Sequence, residues 1–178
     1  ISTYKDEIVV LSCEKAIWRM NLFNKHGFLR KVDLPFDYFS DLSTYQGKTI
    51  SIASSSLTEP GLLEVELETG IWKHHIYRKD PLPKDQISVA ESIWFKGFQG
   101  KMTHSWYYPP TIQKSGPCPL LVKAHSGPTA MANKGLDLEI QFWTSRGWGV
   151  LDVNYSGSTG FGKDYRNRLN GYWGEADV

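Results

Sequence analysis

The sequence lacks long hydrophobic runs, has few cysteines and carries almost no net charge. No apolar stretch approaches the roughly 20 residues of a membrane-spanning helix, so no membrane partner is expected. Lys and Arg number 20 against 19 Asp and Glu, and this balance gives no indication of a nucleic-acid partner. Cys13 and Cys118 form no C-x-x-C pair, and no His/Cys spacing suits zinc. We therefore expect reduced thiols, no metal, no cofactor and a cytoplasmic location.

What is present is typical of a folded, water-soluble protein. Hydrophobic residues make up 40% of the chain and charged residues 22%, which argues against disorder. Ile1 precedes the polar run STYKDE, without a starting Met or a secretory apolar segment. We interpret the chain as an internal part of a longer protein, or as a processed one.

Residues 1–85 have the pattern of short β-strands. Apolar and polar side chains alternate most clearly in 63–68, LEVELE, which predicts one buried and one solvated face. Similar segments occur at 8–11, 18–22 and 71–77. The order of apolar runs and turns repeats after 42–45 residues, from Ile8 to Ile50 and from Met20 to Val65, a period typical of β-propeller blades. A β-sandwich would explain the strands almost as well, but not the repeat.

A charged, Pro-containing segment, 78–85, predicts a linker, after which the pattern changes. Aromatic-rich strands are expected at 91–97 and 102–108, joined by a hairpin, and a strand too apolar to have a solvent face at 120–124. A helix over 134–146, a buried strand over 148–155 and a helix over 163–170 complete the second part. This order predicts a βαβ unit with a parallel sheet, whose sites lie in the loops after the carboxyl ends of the strands.

Gly157 to Lys163 copies the phosphate-binding pattern G-x-x-x-x-G-K-[ST] except for its last letter. Asp164 occupies the position of the magnesium-binding hydroxyl, and its negative charge opposes phosphate binding. The favoured interpretation is a glycine-rich connection from strand to helix, and a nucleotide site is the alternative.

No catalytic nucleophile can be identified. None of Ser126, Ser145 and Ser158 has the flanking glycines of the G-x-S-x-G turn. His74 and His75 are adjacent in a strand and so point to opposite faces, while His26 and His104 are expected to be structural or solvated. His125, at the end of an apolar strand, is expected to brace the following turn rather than to act as an acid or base.

The turn His125-Ser-Gly-Pro128 is the most informative feature. In α/β-hydrolases, one N–H of the oxyanion hole comes from a loop after an early strand. Gly127 N–H has the corresponding position, and Pro128 removes a competing donor.

These residues resemble the prolyl oligopeptidase family of serine peptidases, in its acylaminoacyl-peptidase and dipeptidyl-aminopeptidase-like branch. The resemblance rests on HSGPTA at 125–130 and on the continuous stretch from QFWTSRGWGVLDVNYSGSTGFGKDY to WGEADV at 178. It implies the C-terminal part of a β-propeller in residues 1–85, followed by the N-terminal part of an α/β-hydrolase domain in 86–178. It also implies a short peptide substrate, with His125 and Ser126 lining the turn and Gly127 N–H as one oxyanion-hole donor.

Two departures from the family pattern lead to further expectations. Ser126 replaces the first glycine of the turn, and a positive φ there would cost about 1–2 kcal/mol. The family's Ser, Asp and His triad is expected beyond Val178, so the chain alone should be inactive and should need the rest of the polypeptide, or another copy, to complete its fold. The rival hypotheses are a nucleotide-binding α/β domain that uses 157–163 and a non-catalytic propeller interaction module.

Overall fold

The computed structural model describes residues 1–77, 82–112, 116–127 and 129–178. The predicted linker at 78–85 lies partly outside them, as does Pro128. Two four-stranded antiparallel sheets come first, and in each the strands are neighbours in chain order. Their strands are β1 Ser2–Tyr4, β2 Glu7–Glu14, β3 Ile17–Asn24 and β4 Gly27–Lys31, then β5 Tyr38–Tyr45, β6 Lys48–Ser55, β7 Thr58–Glu66 and β8 Trp72–His75.

The two sheets confirm the repeat. Ile8 and Ile50 lie on the second strand of their sheets, and Met20 and Val65 lie on the third. The predicted alternation in LEVELE is also observed, since Leu63 and Leu67 are 0% exposed. Burial of this face stabilises the pair of sheets through one shared hydrophobic core, formed by Val9, Met20, Leu22, Val32, Leu34, Phe36, Phe39, Ala53, Leu63, Val65 and Leu67. Each sheet has the strand arrangement of a propeller blade.

The third sheet contains β9 Glu91–Lys96, β10 Met102–Tyr108, β11 Leu120–Ala124 and β12 Gly149–Asn154. Its order is β11-β12-β10-β9. Strands β11 and β12 are parallel and flank helix α1, Leu138–Thr144, as the βαβ prediction required. The remaining pairs are antiparallel, so the sheet is mixed. The expectation that 120–124 has no solvent face is wrong, because β11 is an edge strand and Val122 is 64% exposed.

Helix α1 is shorter than predicted because Asp137 caps it. The Asp137 carboxylate accepts hydrogen bonds from the backbone N–H groups of Glu139 and Ile140 at 2.8 and 3.4 Å. Residues 134–137 instead contact the second sheet, where Leu136 N–H donates to Ser55 O at 2.9 Å. Helix α1 ends at Thr144, two residues before the predicted end, and Gly147, whose φ is 86°, closes the turn that follows.

The predicted helix over 163–170 is also divided. Helix α2 covers Lys163–Arg166, and a 3₁₀ turn follows at Asn167–Leu169. Neither α1 nor α2, the two α-helices of the described residues, has the length and hydropathy of a membrane-spanning helix.

The hairpin turn between β2 and β3 packs against the third sheet. Lys15 and Ala16 have φ values of 51° and 58°, the left-handed geometry of a tight hairpin. Ala16 is 0% exposed and belongs to a core cluster with Trp106, Tyr108 and Ala132. Its N–H lies 3.4 Å from Gly160 O. The first sheet therefore supplies part of the core beneath the loop that follows β12.

Candidate active-site turn

The two small-residue turns predicted after parallel strands meet in the structure. One follows β11 at 125–127, and the other follows β12 at 155–162. His125 Nε2 lies 2.8 Å from Ser158 Oγ, and the Tyr155 hydroxyl donates to Gly127 O at 2.7 Å. The carboxyl ends of adjacent parallel strands share one edge of a sheet, which explains why segments 28 residues apart come together.

His125 braces this turn, as the sequence predicted. Its ring stacks on Tyr155 with centroids 4.3 Å apart and planes 19° apart. Ser158 Oγ–H donates to Tyr155 O at 2.7 Å, so its oxygen accepts a hydrogen bond from His125 Nε2–H. Burial lowers the pKa of His125, an effect that backbone hydrogen bonds at Ser126 and Gly127 partly oppose. The lowered pKa favours the neutral ring. The stacking on Tyr155 and the hydrogen bond to Ser158 hold this ring in one orientation.

Gly127 and Ser126 lie exposed at the open side of the turn. Gly127 has a φ of 69°, whereas Ser126 is not among the non-glycine residues with positive φ. Gly127 thus adopts the left-handed conformation, which glycine tolerates, and the backbone strain considered for Ser126 does not arise. Within the described part of the chain, Gly127 N–H donates to no backbone carbonyl, and the space where a Cβ would point is empty.

A buried polar network supports β12 just before this turn. Asn154 Nδ2 donates to His104 Nδ1 at 3.1 Å, so His104 Nε2–H donates to Ser92 Oγ at 3.1 Å. Asn154 Oδ1 accepts from Ala132 N–H at 2.7 Å, and the Tyr165 hydroxyl donates to Asn154 O at 2.5 Å. Through Asn154, the network connects the loop after β11 and the end of β12 to β10 and α2.

His104 is structural rather than solvated. It is 1% exposed and packs against Trp94, Trp106 and Phe161 with ring centroids 4.7–5.0 Å away. Burial lowers the pKa of His104 to about 4, which keeps the ring neutral at physiological pH. Sequence reasoning did not identify Asn154 as the partner of His104, or Tyr155 and Ser158 as partners of the 125–127 turn. The first two lie at the end of the predicted strand over 148–155, and Ser158 lies in the loop after it.

The segment 157–163 has the conformation of a glycine-rich connection. Gly157, Gly160 and Gly162 have φ values of 103°, 85° and 88°. A Cβ on Gly160 would lie 2.5 Å from Met131 Sδ and 3.2 Å from Cys13 Sγ. The glycines are thus explained by backbone conformation and close packing, the role that the sequence favoured over a nucleotide site.

The buried carboxyl of Asp152, two residues before Asn154 on β12, predicts how the free energy of unfolding depends on pH. It is 6% exposed, and burial raises its pKa to about 6. The folded state therefore binds a proton between about pH 4 and 6 that the unfolded state does not, so Asp152 weakens stability as the pH rises through 6. We expect Asp152→Asn to raise the free energy of unfolding by about 1–2 kcal/mol at pH 8 and by little at pH 4. Urea unfolding at both pH values measures this difference.

His104 contributes the same pH dependence of stability to both proteins. The difference between variant and wild type therefore reports the Asp152 carboxyl alone. Asp33→Asn is the matched control, since the Asp33 side chain is 102% exposed and its replacement should shift stability by less than about 0.5 kcal/mol. An Asp152→Asn effect that is the same at pH 4 and pH 8 would show that the buried charge is not its cause.

Comparison with known proteins finds similarity to serine peptidase relatives over parts of the chain. Residues 134–178, which include β12 and the 155–162 turn, match the model of the prolyl oligopeptidase family. This segment resembles the prolyl oligopeptidase family. A 57-residue match is 47% identical to dipeptidyl aminopeptidase BIII of Pseudoxanthomonas mexicana and covers 32% of this chain and 8% of that protein.

Solved structures extend the prolyl oligopeptidase likeness to nearly the whole chain. A puromycin-hydrolysing peptidase of Mycobacterium tuberculosis matches with a TM-score of 0.88 and 26% identity, over 98% of this chain and 28% of that one. A puromycin hydrolase matches with a TM-score of 0.87 and 30% identity, over 97% of this chain and 27% of that one. The turn 125–127 lies outside the matched family segment. The chain thus spans about a tenth to a quarter of the length of the relatives cited.

Proposed function

We propose that this chain forms part of a serine-type peptidase that hydrolyses short peptides, of the acylaminoacyl-peptidase or aminopeptidase type. Residues 1–85 would be the C-terminal part of its β-propeller, and residues 86–178 the N-terminal part of its α/β-hydrolase domain. The two successive four-stranded sheets and the mixed sheet around α1 support this division. The family of residues 134–178 and the peptidases among the relatives support the reaction class.

The observation that carries the proposal is the exposed residue Gly127 on the turn after β11. In acyl transfer, a serine oxygen attacks the peptide carbonyl, and the carbonyl oxygen becomes an oxyanion. A preorganised N–H donor directed at that oxygen lowers the barrier by about 3 kcal/mol. Gly127 N–H donates to no backbone carbonyl in the described part of the chain, the Cβ direction of Gly127 is open, and the turn is held by side chains from the neighbouring loop. These are the properties required of one oxyanion-hole donor.

The sequence of these 178 residues contains no G-x-S-x-G turn, so we propose that the Ser–Asp–His triad lies elsewhere in the whole protein. We expect the protein made from its complete reading frame to hydrolyse a chromogenic aminoacyl or acyl-peptide substrate. A fluorophosphonate, which reacts with an activated serine, should label it and abolish turnover.

The 178-residue chain is the control and should show neither labelling nor turnover. Labelling of the short chain would contradict our placement of the nucleophile. Absence of both labelling and hydrolysis in the complete protein would contradict the peptidase proposal itself.

A further inference from the structure

Tyr155 contacts the candidate turn through both its hydroxyl and its ring. The hydroxyl donates to Gly127 O at 2.7 Å and lies 3.2 Å from His125 O. The ring covers the His125 imidazole in a stacked arrangement. Burial raises the pKa of Tyr155, so the hydroxyl keeps the proton that these contacts require.

The two carbonyls that Tyr155 reaches lie on either side of the peptide that matters for catalysis. The His125 carbonyl belongs to the 125–126 peptide and the Gly127 carbonyl to the 127–128 peptide. Between them, the 126–127 peptide carries the Gly127 N–H. Rotation of that middle peptide would turn its N–H away from an oxyanion. Gly127 offers little resistance to such a rotation, because it has no Cβ and the position that a Cβ would take is open.

We propose that Tyr155 is a positioning residue that holds the Gly127 N–H in the orientation required of an oxyanion donor, an inference that rests on the proposed peptidase function. Its hydroxyl fixes the two flanking peptides, and its ring fixes the side chain at the start of the turn. Preorganisation of this kind makes a donor effective, because no rearrangement is then needed during the reaction.

Ser158 provides a second restraint on the same turn. Its side chain is fully buried and links His125 Nε2 to Tyr155 O at 2.8 and 2.7 Å. The imidazole is thus held by a hydrogen bond at its edge and by Tyr155 at its face. Loss of Ser158 should loosen the turn less than loss of the Tyr155 hydroxyl, because Ser158 acts on the side chain and not on the peptide carbonyls.

The test uses Tyr155→Phe in the complete protein, which keeps the stacked ring and removes only the hydroxyl. With a peptide p-nitroanilide substrate, we expect kcat to fall about tenfold while KM changes less than twofold. A peptidyl aldehyde of the same sequence reports on the donor directly. The serine oxygen bonds to its carbon, the serine proton passes to the base, and the aldehyde oxygen takes the oxyanion position. We expect its Ki to rise about tenfold.

The corresponding peptidyl alcohol cannot form an oxyanion, so its Ki should change less than twofold. Tyr45→Phe is the matched control, since Tyr45 is 75% exposed and lies on β5 of the second sheet; it should leave both inhibitors unaffected. If Tyr155→Phe does not fold, Ser158→Ala takes its place, with an expected rise of about threefold for the aldehyde alone.

The outcomes separate this inference from the proposed function. Aldehyde affinity that is unchanged, or that falls together with alcohol affinity, in an active enzyme would overturn the role of Tyr155. A complete wild-type protein without hydrolysis or fluorophosphonate labelling would instead overturn the peptidase proposal.

Discussion

Replacement of Asn154 by Ala is expected to lower the free energy of unfolding by about 3–5 kcal/mol. The substitution leaves Ala132 N–H and His104 Nδ1 buried without their hydrogen-bond partners. Each unsatisfied buried group costs about 1–3 kcal/mol, and the smaller side chain adds a cavity. Urea unfolding followed by tryptophan fluorescence measures the loss.

Asn170→Ala is the matched control for this prediction, because Asn170 is exposed beside the 3₁₀ turn. Its replacement should change the free energy of unfolding by less than about 0.5 kcal/mol. A loss below about 1 kcal/mol for Asn154→Ala would mean that the buried network contributes little to stability.

Replacement of Gly157 by Ala is expected to destabilise the protein by about 3–5 kcal/mol, for steric reasons. The new Cβ would overlap Leu169 Cδ1 and lie 2.5 Å from Leu169 Cγ. Leu169 is only 2% exposed, so its side chain cannot move aside without disturbing the packing beneath α2. The φ of 103° adds backbone strain. Thermal unfolding of the variant measures the combined effect.

Gly171→Ala separates strain from overlap. Gly171 has a comparable φ of 80°, but no atom lies within 4 Å of the position of its Cβ. Strain alone should cost about 1–2 kcal/mol, so the excess at Gly157 reports the clash with Leu169. Equal losses in the two variants would contradict this explanation.

Local periodicity was sufficient to predict β2, β3, β7 and β8 and the repeat of the first two sheets, but not β1, β4 or β5. In Leu63, Val65 and Leu67 the alternation itself determines which face is buried. The ends of α1 were harder to predict, because 134–137 has helical spacing but is used by Asp137 as a cap and by Leu136 in a contact with Ser55. Tertiary contacts overrode local propensity there.

The candidate site was predicted only in part, for a similar reason. The turn at 125–127 was recognisable because it follows an apolar strand directly. The partnership of Tyr155 with Gly127 depends on two loops that meet only when β11 and β12 pair. His104 and Asn154, 50 residues apart, give no local signal of their hydrogen bond. Such pairings follow from topology, which one sequence specifies only indirectly.

The hairpin turn that places Ala16 against Trp106 and Ala132 has a consequence for how the molecule unfolds. Separation of the first sheet from the third would expose this apolar contact to water and remove the acceptor of the Ala16 N–H. The two parts of the chain are therefore energetically coupled, and opening of one lowers the local stability of the other. Ala16 thus lets a loss of order in the first sheet reach the loop that carries Tyr155, through its contact with Gly160.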